Sequence, residues 1–272
     1  MLIDTHCHLD YKAFHLSGIN ANSHTYEALV ERAHQAGVGF LINVGFDVKS
    51  SLKGLNLAQN DKSIFCALGV HPNESIAWEA GVEKQFFQAI EADWKVKSKR
   101  IVAIGEIGLD YFRNKIPKSL QKKVFRGQLN LAKKVQLPVI IHCREAFSDV
   151  VEILEEEGME SVVFHCFSEG LEQAKQVWRK GWITSFTAVI TYPKNSILQE
   201  VVKACPETQY FLETDAPFLP PQSLRGKLNE SAFMIETAQA VADFRGQTLD
   251  QVAYSSTRNA RRFFGFPLVN ET

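Results

Sequence analysis

Six side chains of the kinds that bind divalent metal ions lie at or near the ends of apolar runs in this sequence. They are four histidines and two carboxylates: His6, His8, Glu106, His142, His165 and Asp215. Imidazole nitrogens combined with carboxylate oxygens suit ions such as zinc or manganese. Each run has the composition of a buried strand, and barrel and open-sheet enzymes carry their chemistry at the C-terminal ends of such strands. The pattern predicts a metal site there.

The spacing of the histidines adds to this prediction. His6 and His8 are two residues apart in "LIDTHCHLD", so on a strand both side chains point to the same side. A lone His-x-His pair is a weak signal. His142 ends "PVIIH" and His165 ends "VVFH". Either one alone is more often a core histidine than a ligand, and the combination favours the metal site.

The two carboxylates have distinct predicted roles. Glu106 stands between two glycines at the predicted end of the fourth strand, where it can give one oxygen to each of two ions or pair with a basic residue. Asp215 can bind one ion and accept a proton from water. Glu213 lies two residues earlier on the same face and either orients a ligand histidine or water, or pairs with an arginine. His71, in "GVHP", is expected either to contact substrate or to support the ligands, and not to bind an ion itself.

Composition limits the class of protein. The chain has 272 residues, is 45% hydrophobic and has a formal net charge of −1, so a large core is possible and non-specific binding of long nucleic acid is not expected. Five cysteines without a Cys-x-x-Cys pair argue against a disulfide framework. The sequence shows neither a signal-peptide pattern nor a membrane-spanning run, which favours a cytoplasmic protein without membrane contact.

Strand-like and helix-like segments alternate along the whole chain. The strand-like runs lie near 2–4, 40–44, 64–70, 101–105, 138–142, 162–166, 182–187 and 210–213, with helical patterns between them and two more after the last. Eight such units predict an α/β protein with a TIM-like (β/α)8 barrel and the metal site at the C-terminal strand ends. No linker divides the chain, so residues 1–272 are expected to form a single domain. The longest loops, at 10–24, 110–118 and 216–230, are expected to wall the site.

Several motifs together resemble the TatD family of metal-dependent deoxyribonucleases, among the amidohydrolase-like barrels. They are "IDTHCHLD" at 3–10, "GEIGLDYFR" at 105–113, "PVIIHCREAFSD" at 138–149, "FHCFSEGLEQAK" at 164–175, "FLETDAPFLPP" at 211–221 and "RGKLNE" at 225–230. The resemblance extends to "NARRFFGF" at 259–266, so it covers almost the whole chain.

The resemblance implies two divalent cations, Mg, Mn or Zn. His6, His8 and Asp215 would hold one ion and His142 and His165 the other, with Glu106 bridging. The implied reaction is hydrolysis of phosphodiester bonds in DNA through a water activated by two metals, as a 3′–5′ exonuclease that prefers single strands or frayed ends. Asp215 and Glu106 would be its catalytic residues. We expect a monomer.

Substrate contacts are less well defined by the sequence. Arg144 can grip a phosphate or pair with Glu145 or Asp149, and Arg225, Lys227 and Asn229 are candidate phosphate contacts. Three aromatic residues in the wall loops can stack a base or anchor the loops: Tyr111, Phe112 and Phe218. Where the family usually has a histidine before Arg-Gly-Lys, this chain has Leu224, and Leu228 and Ser231 also depart from the family pattern.

Two other functions remain compatible with the residues. An amidohydrolase or lactonase would use the same ions to polarise a carbonyl group of a small molecule. A non-enzymatic, metal-stabilised scaffold is disfavoured because structural zinc sites are normally closed by four ligands.

Overall fold

The structure is a computed structural model. It describes residues 1–11, 25–79, 81–96, 99–113 and 115–266. Most of the predicted loop 10–24, and residue 114 of the predicted loop 110–118, lie outside these ranges. The described residues divide into two compact units, unit 1 (1–41 and 166–272) and unit 2 (42–165). The single domain stays a prediction.

The eight predicted strands are all present, within a few residues of their expected positions. They are β1 (Leu2–Cys7), β2 (Val38–Val44), β3 (Ile64–Leu68), β4 (Ile101–Asp110), β5 (Val139–Arg144), β6 (Val162–Phe164), β7 (Ile183–Phe186) and β8 (Tyr210–Leu212). The order of strands in the sheet follows the chain, β1 to β8. Their side chains are almost all buried, as expected for strands of a parallel sheet.

Helices follow the strands, as the sequence predicts. Within the described ranges they are α1 (Tyr26–Gln35), α2 (Val48–Asn60), α3 (Val82–Lys95), α4 (Lys118–Val135), α5 (Phe147–Glu156), α6 (Leu171–Arg179), α7 (Ser196–Ala204), α8 (Met234–Arg245) and α9 (Leu249–Phe264). Short 3₁₀ turns lie at Pro72–Ala77, Ala188–Thr191, Gln222–Leu224 and Ser231–Phe233. In this part of the chain, no helix combines the length and apolar character needed to cross a membrane.

Local sequence explains where several helices begin and end. Asp47 caps α2 and Thr248 caps α9, each in a reciprocal capping box with the third helical residue. α8 ends at Gly246 and α9 at Gly265, both in the left-handed conformation that glycine adopts without steric cost. These residues therefore fix the ends of the helices that they cap.

In unit 1, β7 pairs with β8 in parallel, and Phe186 lies beside Leu212. β1 is joined to the segment after β8, because the Asp215 amide donates to the His6 carbonyl at 2.8 Å. Beneath these strands, the ring of Phe211 contacts those of Phe263 and Phe264 on α9. These ring contacts pack β8 against α9.

In unit 2, strands β3 to β6 pair with their sequence neighbours in parallel. The register of β4 on β5 places Gly108 beside His142 and Asp110 beside Arg144. Two buried glutamines of α4 hold the sheet: Gln128 accepts from and donates to the Val70 backbone, and Gln121 does the same for Asp110. Because amide side chains satisfy both backbone groups, these strand ends are held rigidly.

Candidate metal centre

The histidines at the end of β1 form the first candidate cluster, in unit 1. Nε2 of His6 and Nε2 of His8 lie 3.3 Å apart, and both histidines are buried. Oδ1 of Asp215 lies 3.7 Å from the first nitrogen and 3.4 Å from the second. Three donor atoms of these types therefore converge on one point.

These separations agree with the size of a small divalent ion. Ligand atoms about 2.1 Å from a tetrahedral ion are roughly 3.4 Å from one another. The observed distances of 3.3, 3.4 and 3.7 Å lie close to that value. The donor set of unit 1 therefore fits a divalent metal ion in both chemistry and spacing.

The backbone around Asp215 explains how its carboxylate reaches the histidines. Asp215 has a positive φ of 56°, a conformation that aspartate and asparagine adopt more readily than most residues. The preceding residue, Thr214, is held by Asp4, whose two carboxylate oxygens accept from the Thr214 amide (3.0 Å) and hydroxyl (2.6 Å). Burial raises the pKa of Asp4 to about 6, with these hydrogen bonds acting in the opposite direction.

Asn229 holds the other side of the same turn, and the expectation of a phosphate contact does not fit its position. Its side chain is buried, and Nδ2 donates to the carbonyls of Thr214 (2.9 Å) and Phe218 (2.7 Å). The backbone amide of Asn229 donates to the carbonyl of Pro217. A side chain enclosed in this way is a support of the loop that carries Asp215.

Glu106 is the centre of the second candidate cluster, in unit 2. Its Oε1 lies 2.7 Å from Nδ1 of His142, 3.0 Å from Nε2 of His165 and 3.6 Å from Nε2 of His71. Burial by itself raises the pKa of Glu106, but the surrounding imidazoles outweigh it and hold the pKa well below its usual range. Glu106 is thus held as an anion, the form that binds a metal ion.

Glu106 does not lie at the end of its strand, contrary to the sequence-based expectation. β4 continues to Asp110, four residues further. The reason is Gly108, whose φ of 138° and lack of a Cβ allow β4 to approach His142, where a Cβ would lie 2.0 Å from the carbonyl oxygen. The other ligand candidates lie within three residues of the C-terminal ends of their strands, His6 and His142 just before the end and the rest just beyond it.

Asp110 belongs to this cluster, and the sequence analysis did not single it out. It is fully buried, and its Oδ2 lies 3.3 Å from Nε2 of His142. Its position four residues after Glu106 puts both carboxylates on the same face only if the strand continues, whereas the sequence predicts that a loop begins at residue 110. Burial lowers the pKa of His142, whereas Asp110 and Glu106 raise it. The carboxylates outweigh burial, so the pKa lies above its usual value.

His71 is held as a neutral hydrogen-bond donor. Its Nδ1 accepts from the Asn73 amide at 3.0 Å, so the proton of the neutral ring resides on Nε2, which faces Glu106. Burial and the neighbouring His142 lower the pKa of His71 to about 3. Its predicted substrate contact remains a prediction.

Glu213 lies in unit 1 with polar backbone and hydroxyl contacts. Its Oε1 accepts from the Cys166 amide at 2.6 Å, and Thr5 donates to Oε2 at 3.5 Å. None of the five cysteines, which all lie within the described ranges, takes part in a disulfide.

His71 is buried, whereas the cationic candidates for substrate contact have exposed side chains. In unit 2 the Arg144 guanidinium lies 3.9 Å from the centre of the half-exposed Phe112 ring, whereas Asp149 is paired with Lys122. Tyr111 donates to Asp149, which makes it a loop anchor.

In unit 1, Arg225 and Lys227 are exposed, and Arg225 lies over the Tyr192 ring. Phe218 is 41% exposed and makes an edge contact with His8. The partly exposed Leu224 lies on the same loop as these cations.

The strands of the sheet follow the order of the chain, with helices between them, and clusters of histidines and carboxylates lie near the strand ends. This combination is typical of (β/α)8 metal-dependent hydrolases. The sequence model of the family described as TatD related DNase matches residues 3–265. The chain belongs to this family.

Relatives agree with this assignment along nearly the full length. A Bacillus subtilis (strain 168) protein named "Uncharacterized metal-dependent hydrolase YabD" is 37% identical over 97% of this chain and 99% of its own. A Citrobacter rodentium protein named "3'-5' ssDNA/RNA exonuclease TatD" is 30% identical over 92% and 97%. The crystal structure of the TatD homologue YjjV from Escherichia coli K12 matches with a TM-score of 0.88 and 31% identity over 98% of both chains.

These comparisons confirm the predicted family and the TIM-like (β/α)8 fold. The protein is a metal-dependent hydrolase that acts on ester bonds. The roles of individual site residues, the monomeric state and the cytoplasmic location remain predictions.

Proposed function

We propose that this protein is a metal-dependent exonuclease that removes nucleotides from the 3′ ends of single-stranded DNA. The observation that carries the proposal is the pair of donor clusters, His6–His8–Asp215 in unit 1 and Glu106–His142–His165 in unit 2. Each combines imidazole nitrogens with a carboxylate. The substrate class is supported by relatives named 3'-5' ssDNA/RNA exonucleases.

We assign one divalent ion to each cluster. The bridging role of Glu106 that the family resemblance implies stays a prediction. Mg²⁺, Mn²⁺ or Zn²⁺ held there would lower the pKa of a water molecule and neutralise charge on the phosphate. The protein's own side chains would accept the proton and contact the phosphate.

Asp215 is assigned as the proton acceptor. Its Oδ1 faces the two imidazoles of His6 and His8, so the second oxygen, Oδ2, is the atom that takes a proton from the attacking water. His71, with its proton on Nε2, would donate a hydrogen bond to a phosphate oxygen without bringing a charge that repels the metal ions.

Substrate binding would involve the exposed cations and aromatic rings of each unit. Arg144 can offer two parallel N–H groups to a phosphate, and Arg225 and Lys227 add positive charge on the 222–229 loop. Phe112 and Phe218 each expose enough ring to stack a base. With a net charge of −1, the protein would contact few phosphates.

The test compares cleavage of 3′-labelled linear single strands, closed circular single strands and blunt duplexes in Mg²⁺ or Mn²⁺. We expect metal-dependent release of terminal nucleotides from linear single strands, slower cleavage of blunt duplex and no cleavage of circles. About two to four phosphate contacts predict a slope of log affinity against log salt of roughly −1.5 to −3.

Two results would contradict this proposal. Equal rates on circular and linear single strands would exclude attack from the ends. Hydrolysis of lactones or amides with no nuclease activity would favour the small-molecule amidohydrolase instead.

A further inference from the structure

Asp110 is enclosed by hydrogen-bond donors, and one of its oxygens lies beside the His142 ring. Its Oδ1 accepts from the Arg113 amide at 2.9 Å. Its Oδ2 accepts from Nδ2 of Asn73 at 3.0 Å and lies 3.3 Å from Nε2 of His142. Its backbone is clamped on both sides by Gln121. The carboxylate is therefore fixed in position, and so is the ring nitrogen beside it.

The two nitrogens of His142 face different carboxylates. Nδ1 lies 2.7 Å from Glu106 and Nε2 lies 3.3 Å from Asp110. A neutral imidazole has one N–H donor and one lone pair. Both neighbours are acceptor-only carboxylates, so either nitrogen can donate while no ion is bound. Once an ion held with Glu106 takes the lone pair of Nδ1, the single proton of the neutral ring has to lie on Nε2, where Asp110 accepts it.

We infer that Asp110 is a positioning residue for metal binding: it fixes His142 as the Nε2–H tautomer, so that Nδ1 is the atom that coordinates the ion held with Glu106. Carboxylates that accept from the second nitrogen of a ligand histidine fix its orientation and increase its basicity. The inference rests on the proposed assignment of one ion to Glu106, His142 and His165.

A different role for Asp110, as a direct ligand with His71 and His142, is the main alternative. The donor atoms of these three residues lie within 4.8 Å of one another. However, Nδ1 of His71 is already occupied by the Asn73 amide, and Nη1 of Arg113 lies 3.4 Å from Oδ2 of Asp110. A guanidinium at that oxygen disfavours a second cation, so the contacts support a positioning role.

The test is Asp110→Asn, studied with the whole protein. An asparagine has one acceptor oxygen where the carboxylate has two, so the His142 N–H and the Arg113 amide cannot both be satisfied as before. We expect the affinity for one Mn²⁺ or Zn²⁺ to fall about 10–100-fold, measured by competition with a chelator. The stoichiometry at saturating metal should not change.

A spectroscopic measurement reports on the tautomer directly. In protein labelled with ¹⁵N-histidine and loaded with Zn²⁺, wild-type His142 should show a proton on Nε2 and a metal-bound Nδ1. In Asp110→Asn the Nε2 proton should exchange faster and its signal should shift. A merely structural role would leave these signals unchanged.

Two further variants keep the test decisive. Asp93→Asn changes another buried aspartate of unit 2, which accepts from the Ile101 amide, and should leave metal affinity unchanged. If Asp110→Asn does not fold, Asn73→Ala removes one donor to Oδ2 of Asp110. It keeps the hydrogen bond from the residue 73 backbone amide to Nδ1 of His71, and it should weaken metal binding about two- to tenfold.

The outcomes separate this inference from the proposed function. If wild-type protein binds both ions and Asp110→Asn retains the same affinity and His142 signals, the positioning role is wrong and the proposed function stands. Loss of one whole ion from Asp110→Asn would identify a direct ligand and also overturn the inference. If wild-type protein takes no ion at Glu106, the proposed function itself fails.

Discussion

Asp215→Asn is expected to abolish turnover while leaving the fold intact. The substitution keeps the size of the side chain and its positive φ of 56°, which asparagine tolerates well. It removes the carboxylate charge facing His6 and His8 and the proposed proton acceptor. Loss of a general base alone costs about 10²–10⁴-fold in rate, and weaker metal binding adds to this loss. Single-turnover cleavage of a 3′-labelled single strand measures the effect.

Asp243→Asn is a suitable control, because Asp243 is an exposed aspartate of α8 in the same unit. It should retain wild-type rates. Both variants should match the wild-type circular dichroism spectrum. Activity of Asp215→Asn within tenfold of wild type would show that Asp215 is neither a ligand nor the base.

Glu106→Gln is expected to have the second large effect, on metal content as well as activity. Oε1 of Glu106 lies within 3.6 Å of nitrogens from three histidines, and its charge balances the positive charge of any ion held there. An amide cannot supply that charge. Removing a charged group at the reacting centre costs on the order of 10²–10³-fold in rate. Metal analysis after equilibration in defined Mn²⁺ should show fewer ions per chain.

The matched control is Glu157→Gln. Glu157 forms ion pairs with Arg126 and Lys133 in the same unit, away from the histidine cluster. These partly exposed pairs do not involve the ligand candidates, so both metal content and rate should be retained. Equal metal content in Glu106→Gln and wild type would exclude Glu106 as a ligand.

The sequence predicts the strand positions well because buried parallel strands read as short apolar runs between helical patterns. The shared orientation of His6 and His8 also follows from local geometry, since residues two apart on a strand point the same way, and the structure places their Nε2 atoms 3.3 Å apart.

The sequence predicts the residues of the second cluster less completely than those of the first. Asp110 appeared to begin a loop, because "EIGLDYFR" gives no sign that Gly108 allows β4 to continue beside β5. Asn229 appeared to be an exposed polar loop residue. Its burial depends on how the 214–219 turn folds around it, which local sequence does not encode.

The most direct test of the central claim is anomalous diffraction from crystals soaked in millimolar Mn²⁺. The account predicts one anomalous peak roughly 2.0–2.2 Å from the donor atoms of His6, His8 and Asp215, and another at the same distance from those of Glu106, His142 and His165. Well-ordered crystals that show neither peak, with His142 and Glu106 still hydrogen-bonded to each other, would contradict it.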